Sequence, residues 1–272
     1  MNYDPYAALE FFKAAGKPTE FGEGDKIFNE SEKHIPVLRR NKMYLLTKGE
    51  VGLMAGKKSL AVVKPGEIFG ELAVLSQAPR TASAVARTSC TVISLDEGQF
   101  QAALRRKPAF ALMLMGILIR RLRETIAQVK LPGRKKSDAW KEASVFDTKQ
   151  LNQLVEGLSD ERTAYYPAGK VILAEGQKGV RMYTVLEGRV AISIGGQVVE
   201  RLGPGGVFGE AALVESSTRL ANAMAETDCE LLPVTRQAFL ALVKLSPQFA
   251  DAMLTSLSER LRFLTARLTQ AA

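Results

Sequence analysis

Slid by 139 positions, the chain of 272 residues falls onto itself. Residues 44–100 align with 183–239 without a gap, and 17 of the 57 positions are identical. Self-similarity on this scale marks one structural unit written twice. The shared positions include Gly49/Gly188, Pro65/Pro204, Phe69-Gly70-Glu71/Phe208-Gly209-Glu210, Arg80/Arg219 and Phe100/Phe239. Upstream, "GDKIFNES" pairs with "AGKVILAEG", the first copy carrying five extra residues between Lys26 and Tyr44. Downstream, "RRLR" at 120–123 pairs with "ERLR" at 259–262. Two similar domains are predicted, at 1–131 and 147–272, with a linker over 132–146.

Inside each copy the periodicity is that of strands. "VAISIGGQVVERLG" alternates apolar and polar residues around Gly195-Gly196, the mark of a tight hairpin, and "VGLMAGKKSLAVV" is its counterpart. Several short strands punctuated by glycine predict a small antiparallel roll or barrel. Helical patterns flank them: "DPYAALEFFKAAG" before the first set, "KQLNQLVEGL" before the second, and longer helices at about 108–130 and 246–270 after each. The expected class is α+β, with two repeated antiparallel β-rolls, jelly-roll-like, each flanked by N-terminal and C-terminal helices. In the last helix Leu254, Leu257, Leu261, Leu264 and Leu268 step by 3 and 4, a seam suited to a partner helix. The first-copy positions are Met115, Leu118, Leu122, Thr125 and Val129, so one polar residue interrupts that seam. Thr125 is either a tolerated threonine or a hydroxyl that faces a ligand.

The formal charge of +8 is unevenly placed. Residues 1–136 hold 23 Lys and Arg against 13 acids, a net of +10, and residues 137–272 hold 14 against 16, a net of −2. The tightest cluster, Arg134-Lys135-Lys136, follows a Pro-Gly between the halves and reads as a solvated linker. The longest apolar run, Ala109 to Ile119, is too short to span a bilayer. The N-terminus lacks an export signal, and Cys90 and Cys229 are too few for a disulfide framework, so a cytoplasmic protein is expected.

The chemistry gathers in "KPGEIFGELAVLSQAPRTASAVA". A Pro-Gly turn and Phe69-Gly70 lead into a stretch able to form one or two helical turns. A helix N-terminus exposes unpaired N–H groups and a partial positive charge, a seat for phosphate, and Gly70 permits close backbone approach. An acid at Glu71 would repel a phosphate unless it serves something attached to it, such as a sugar hydroxyl. Arg80 supplies a planar fork of donors for phosphate oxygens. Ala82, Ala84 and Ala86 alternate on one face of the following strand and leave space for a ring.

Gly-Glu-(Leu/Ala)-Ala, the preceding Pro-Gly and Phe, and an Arg nine residues after the Glu resemble the phosphate-binding cassette of cyclic-nucleotide-binding domains. That family includes the catabolite activator protein, the regulatory subunit of cAMP-dependent protein kinase and cyclic-nucleotide-gated channels. The resemblance covers nearly the whole chain, twice, without a helix-turn-helix. It implies that Glu71 binds the ribose 2′-hydroxyl and Arg80 the cyclic phosphate. The backbone at Gly70, Leu72, Ala73 and Thr81, with Ala82 beside it, would complete the cradle. In the second copy the same roles fall to Gly209, Glu210, Ala211, Ala212, Arg219 and Leu220. Thr81 and Thr125 are hydroxyls where family members contact the base. Their counterparts, Leu220 and Leu264, are apolar, so the first site is expected to bind more tightly or more selectively, and the second to be weaker, differently selective or empty.

Catalysis finds no footing: His34 is the sole histidine, and no nucleophilic triad or metal-ligand spacing exists. The equivalent cysteines are expected to be small buried residues. Two rivals are a DNA-associated transcription regulator of the catabolite activator type and a scaffold with vestigial pockets. Four residues follow "ERLRFLTARL", so direct DNA binding is not expected. A kinase-inhibitor role is poorly supported, with about four residues before the first helix and only "RKKS" at 134–137 as a superficial recognition site. What is expected is a sensor of cAMP or cGMP that moves its C-terminal helices toward an unknown protein target, with no membrane association and a possible homodimer through those helices.

Overall fold

The computed structural model describes residues 3–31, 41–128, 144–158, 161–214, 218–246 and 248–270. His34, the basic cluster at 134–136, most of the expected linker and the seam position Val129 lie outside them. The first copy runs α1 (Pro5–Lys13), β1 (Lys17–Phe21), β2 (Lys26–Phe28), β3 (Lys42–Lys48), β4 (Val51–Ala55), β5 (Lys58–Val63), β6 (Ile68–Phe69), α2 (Glu71–Leu75), β7 (Ser83–Ala86), β8 (Cys90–Asp96), α3 (Glu97–Arg106) and α4 (Ala109–Gln128). The second repeats that order: α5 (Thr148–Gly157), β9 (Ala164–Tyr166), β10 (Val171–Leu173), β11 (Arg181–Glu187), β12 (Val190–Ile194), β13 (Gln197–Leu202), β14 (Val207–Phe208), α6 (Ala211–Val214), β15 (Asn222–Ala225), β16 (Cys229–Thr235), α7 (Arg236–Leu245) and α8 (Gln248–Gln270).

Each copy builds two four-stranded antiparallel sheets, the expected α+β roll. The orders are β1-β8-β3-β6 and β2-β7-β4-β5 in the first, and β9-β16-β11-β14 and β10-β15-β12-β13 in the second. The hairpin at Gly195-Gly196 forms as expected, with both glycines at positive φ (55° and 80°), the twist a two-residue connection demands. A register shift falls between Leu53 and Met54 in one copy and between Ile192 and Ser193 in the other, which are equivalent positions. The first roll closes on Phe28, Tyr44, Leu46, Val51, Phe69 and Val92, the second on Val185, Val190, Leu202, Phe208 and Leu231. Cys90 and Cys229 are buried among them, and each thiol donates to a strand-start carbonyl, of Glu50 at 3.1 Å and Arg189 at 3.3 Å.

Helix α1 starts where Asp4 accepts from the N–H groups of Tyr6 and Ala7, with Pro5 in the first turn, and it buries Ala8, Phe11 and Phe12. Among the described residues, those of 3–129 and 254–272 form one compact unit and those of 130–253 another. Helix α8 therefore starts in the unit of the second roll, and from Leu254 onward its residues belong to the unit of the first. Leu254, Leu257, Leu261 and Leu264 of the expected seam are all buried, as are Met115, Leu118 and Leu122. No helix among the described residues is long and apolar enough to cross a membrane.

Candidate ligand site

In the first unit the Pro65-Gly66 turn carries the chain through β6 into Gly70, whose φ of 72° lies in the left-handed region. A Cβ there would stand 2.9 Å from the Arg80 Nη1 and 3.1 Å from Phe28, so backbone angle and close approach both call for glycine. Helix α2 follows at once, with Glu71 as its first residue, Leu72 half-buried and Ala73 buried. The Leu72 carbonyl accepts from Ser76, from its N–H at 3.0 Å and its hydroxyl at 2.6 Å, and closes the short helix.

Arg80 is 6% exposed. Its Nη1 donates to the Gly70 carbonyl at 2.7 Å and its Nη2 to the Lys42 carbonyl at 2.8 Å. The guanidinium lies 4.1 Å over the Phe28 ring, in a stack with Tyr44 and Phe69. Two carbonyls and an aromatic face thus hold a desolvated positive charge beside the N-terminus of α2. Thr81 follows half-buried, then Ala82 just before β7 and Ala84 and Ala86 on β7 are buried.

Glu71 is 1% exposed, and its partner is one that spacing did not disclose. Arg121, on α4, pairs with the Glu71 carboxylate through Nη1 and donates from Nη2 to the Ile68 carbonyl at 2.6 Å. One arginine therefore ties the long helix to both sides of the Phe69-Gly70 turn. A carboxylate oxygen carries two lone pairs, so an ion pair on Oε1 leaves Glu71 acceptor capacity for a hydroxyl. Thr125 lies one turn beyond Arg121, and its hydroxyl donates to the Arg121 carbonyl at 2.7 Å. Its proton goes to its own helix, and its oxygen stays an acceptor. The signal for Arg121 was in the repeat, since "RLR" recurs with Arg260 in the matching place.

The second unit reproduces the core of this arrangement. Gly209 has φ 77°, Glu210 and Arg219 are each 8% exposed, and Ala211 and Ala212 open α6. Arg219 donates from Nη1 to the Gly209 carbonyl and from Nη2 to the Arg181 carbonyl, both at 2.8 Å. Gly70/Gly209 and Lys42/Arg181 are repeat equivalents, so the two forks are seated identically. Burial pulls the Arg219 pKa below the usual arginine value, against the opposing charges of Tyr183 and Glu210. A cleft of about 210 Å³ opens beside it, lined by Leu173, Gln177, Lys178, Gly179 and Tyr183. Leu220 is half-buried.

The C-terminal part of α8 reaches the first cassette. Thr255 donates its hydroxyl to the Leu75 carbonyl at 3.1 Å, and Arg262 donates from Nη1 to the Pro79 carbonyl at 2.6 Å. Burial lowers the Arg262 pKa, with the Glu259 charge opposing. Neither residue was singled out from the sequence. Among the described residues no group of His, Cys, Asp and Glu could hold a metal ion.

Each roll presents a left-handed glycine, a buried glutamate and a buried arginine fork at one cassette. The Cyclic nucleotide-binding domain family matches residues 19–107 and 163–246, more than half of the chain, and the protein belongs to that family, with two such domains in tandem. The chain is 29% identical over 201 residues to the cAMP-dependent protein kinase regulatory subunit of Eremothecium gossypii, covering 74% of this chain and 39% of that protein. It is 29% identical over 206 residues to human cGMP-dependent protein kinase 2, covering 73% of this chain and 24% of the kinase. The crystal structure of the Thermus thermophilus catabolite activator protein is 31% identical, with a TM-score of 0.42, covering 47% of this chain and 63% of that one. The chain spans less than half the length of these two curated relatives.

Proposed function

We propose that the protein is a tandem cyclic-nucleotide sensor of the cytoplasm, without enzymatic activity, that takes cAMP or cGMP and signals to a protein target. The supporting observation is the duplicated arginine seat: Arg80 on the carbonyls of Gly70 and Lys42, and Arg219 on those of Gly209 and Arg181. A guanidinium kept buried by carbonyl groups is poised for an anion, and Glu71 and Glu210 stand ready for a sugar hydroxyl rather than the phosphate. Gly70, Glu71, Leu72, Ala73, Arg80, Thr81, Ala82 and Thr125 form the first site. Gly209, Glu210, Ala211, Ala212, Arg219 and Leu220 form the second, the weaker of the two because Leu220 offers no hydroxyl. The domains are taken as 1–131 and 147–272, joined by 132–146. Ligand would draw the cassette and distal helix together, and this moves a partner only if the ligand binds the two arrangements unequally.

Thermal-shift screening against a panel of purine and pyrimidine cyclic nucleotides tests the reading. A rise in Tm with cAMP or cGMP at micromolar concentration, and none with 5′-AMP or 5′-GMP, is expected. No shift with any cyclic nucleotide overturns it. Duplex DNA is expected to give no gel shift, with or without nucleotide.

A further inference from the structure

Asn41 sits immediately before Lys42, whose carbonyl receives Arg80, and its side chain is nearly buried at 9% exposure. Its amide nitrogen donates to the Ala73 carbonyl at 3.0 Å and to the Ala78 carbonyl at 3.4 Å. Ala73 lies on α2 and Ala78 two residues before Arg80, so one side chain bridges both limbs of the cassette loop. Between those limbs Gln77 takes a φ of 49°, a left-handed angle that a residue with a Cβ holds only where its surroundings fix it. Two consecutive residues therefore set the loop and the guanidinium together: the Asn41 side chain holds the cassette, and the Lys42 main chain holds the fork. By the repeat, the residue matching Asn41 is Val180, which has no amide and is 76% exposed.

We infer that Asn41 is a positioning residue for the first nucleotide site, keeping the cassette in its ligand-ready shape, and that its replacement by valine is one reason the second site is the weaker. The inference rests on the sensor reading above. It predicts that loss of the amide is felt as faster ligand escape, because an unpinned loop must be ordered anew each time the phosphate is gripped.

The test compares the full chain with Asn41→Asp, of the same shape but without the donor, and Asn41→Val, the residue found in the second copy. Binding of cAMP and of cGMP is measured by calorimetry, and release by stopped-flow displacement of a fluorescent cAMP analogue. Both are done in an Arg219→Ala background, so that the first site alone is read, and well below the melting temperature. The expected result is a loss of about tenfold in affinity in both variants, carried mainly by the dissociation rate. A lowered Tm with unchanged affinity and release overturns the inference, because a residue that only supports the fold would do just that. If Asp does not fold, the Val variant decides alone. Failure of the unsubstituted chain to bind either nucleotide removes the sensor reading and this inference with it, whereas binding untouched by both substitutions removes this inference only.

Discussion

Arg80 and Arg219 are each seated on two carbonyls, so truncating either deletes the charge without opening a hole in a strand ladder. Charge-assisted hydrogen bonds of this kind are worth about 1.5–3 kcal/mol net, or ten- to a hundredfold in affinity. Calorimetric titration with cAMP and cGMP should find that Arg80→Ala lowers binding by that factor at the tighter site. Arg219→Ala should lower it only at the weaker one, and equal losses from the two would contradict the ranking. Arg121 behaves differently because it acts through Glu71, a carboxylate at 1% exposure. Arg121→Ala leaves that charge without its counterion and should cost about 2–3 kcal/mol of stability, read by urea unfolding. It should also weaken nucleotide binding, since Glu71 is then free to turn away from the position proposed for a ribose hydroxyl. Glutamate and arginine were legible because the same two residues recur at the same spacing. Arg121 was less so, because a duplicated arginine on a helix looks like any solvated charge. Asn41 was invisible, because its counterpart is a valine and its neighbours are the five residues that break the alignment.

At the scale of elements, the turn into α2 is the most exacting. Gly70→Ala must place a Cβ at φ 72° and within 2.9 Å of the Arg80 guanidinium. A cost of about 1–3 kcal/mol in chemical unfolding is expected, with weakened nucleotide binding, since the fork is what must give way. Tyr3, just ahead of α1, donates its hydroxyl to the Gly66 carbonyl of the Pro65-Gly66 turn that leads into β6. Burial, aided by the Glu67 charge, pushes the Tyr3 pKa up to about 12 from 10.0. A phenol that resists ionisation when folded contributes stability fully present below about pH 10 and lost as pH rises toward 12. Tyr3→Phe should therefore flatten that part of the stability–pH curve, measured by urea unfolding between pH 9 and 11.5, and an unchanged curve would show the hydroxyl to be inconsequential. The hairpins, the long helices and the first helix of each copy follow from periodicity and turn chemistry. Helices α3 and α7 did not, although "DEGQ" carries the capping box that Asp96 and Gln99 form, because ten residues ahead of a longer apolar run read as part of the approach to it.

At the scale of the whole molecule, the 3-4 spacing of leucines in α8 is a demand for a partner surface and contains no information about which surface. A heptad names the face of a helix, and tertiary packing chooses what covers it. From Leu254 the helix belongs with the first repeat, where Thr255 and Arg262 donate to carbonyls at either end of the segment leading to Arg80. The last stretch of the second copy is thus part of the first copy's cassette environment. Within that unit the segment 75–79 is therefore tied to α8 at both of its ends. Removing residues 254–272 tests this. If the repeats were independent, a deletion in the second would leave the first site alone. The structure predicts the reverse: in an Arg219→Ala background, where only the first site reports, the truncated chain should lose affinity for cyclic nucleotide by at least tenfold. The milder Arg262→Ala should lose a smaller part of it, because it removes one half-buried donor and leaves the buried leucines in place. Calorimetry on the three chains decides it, and an intact first site in the truncated chain would break the link between the repeats.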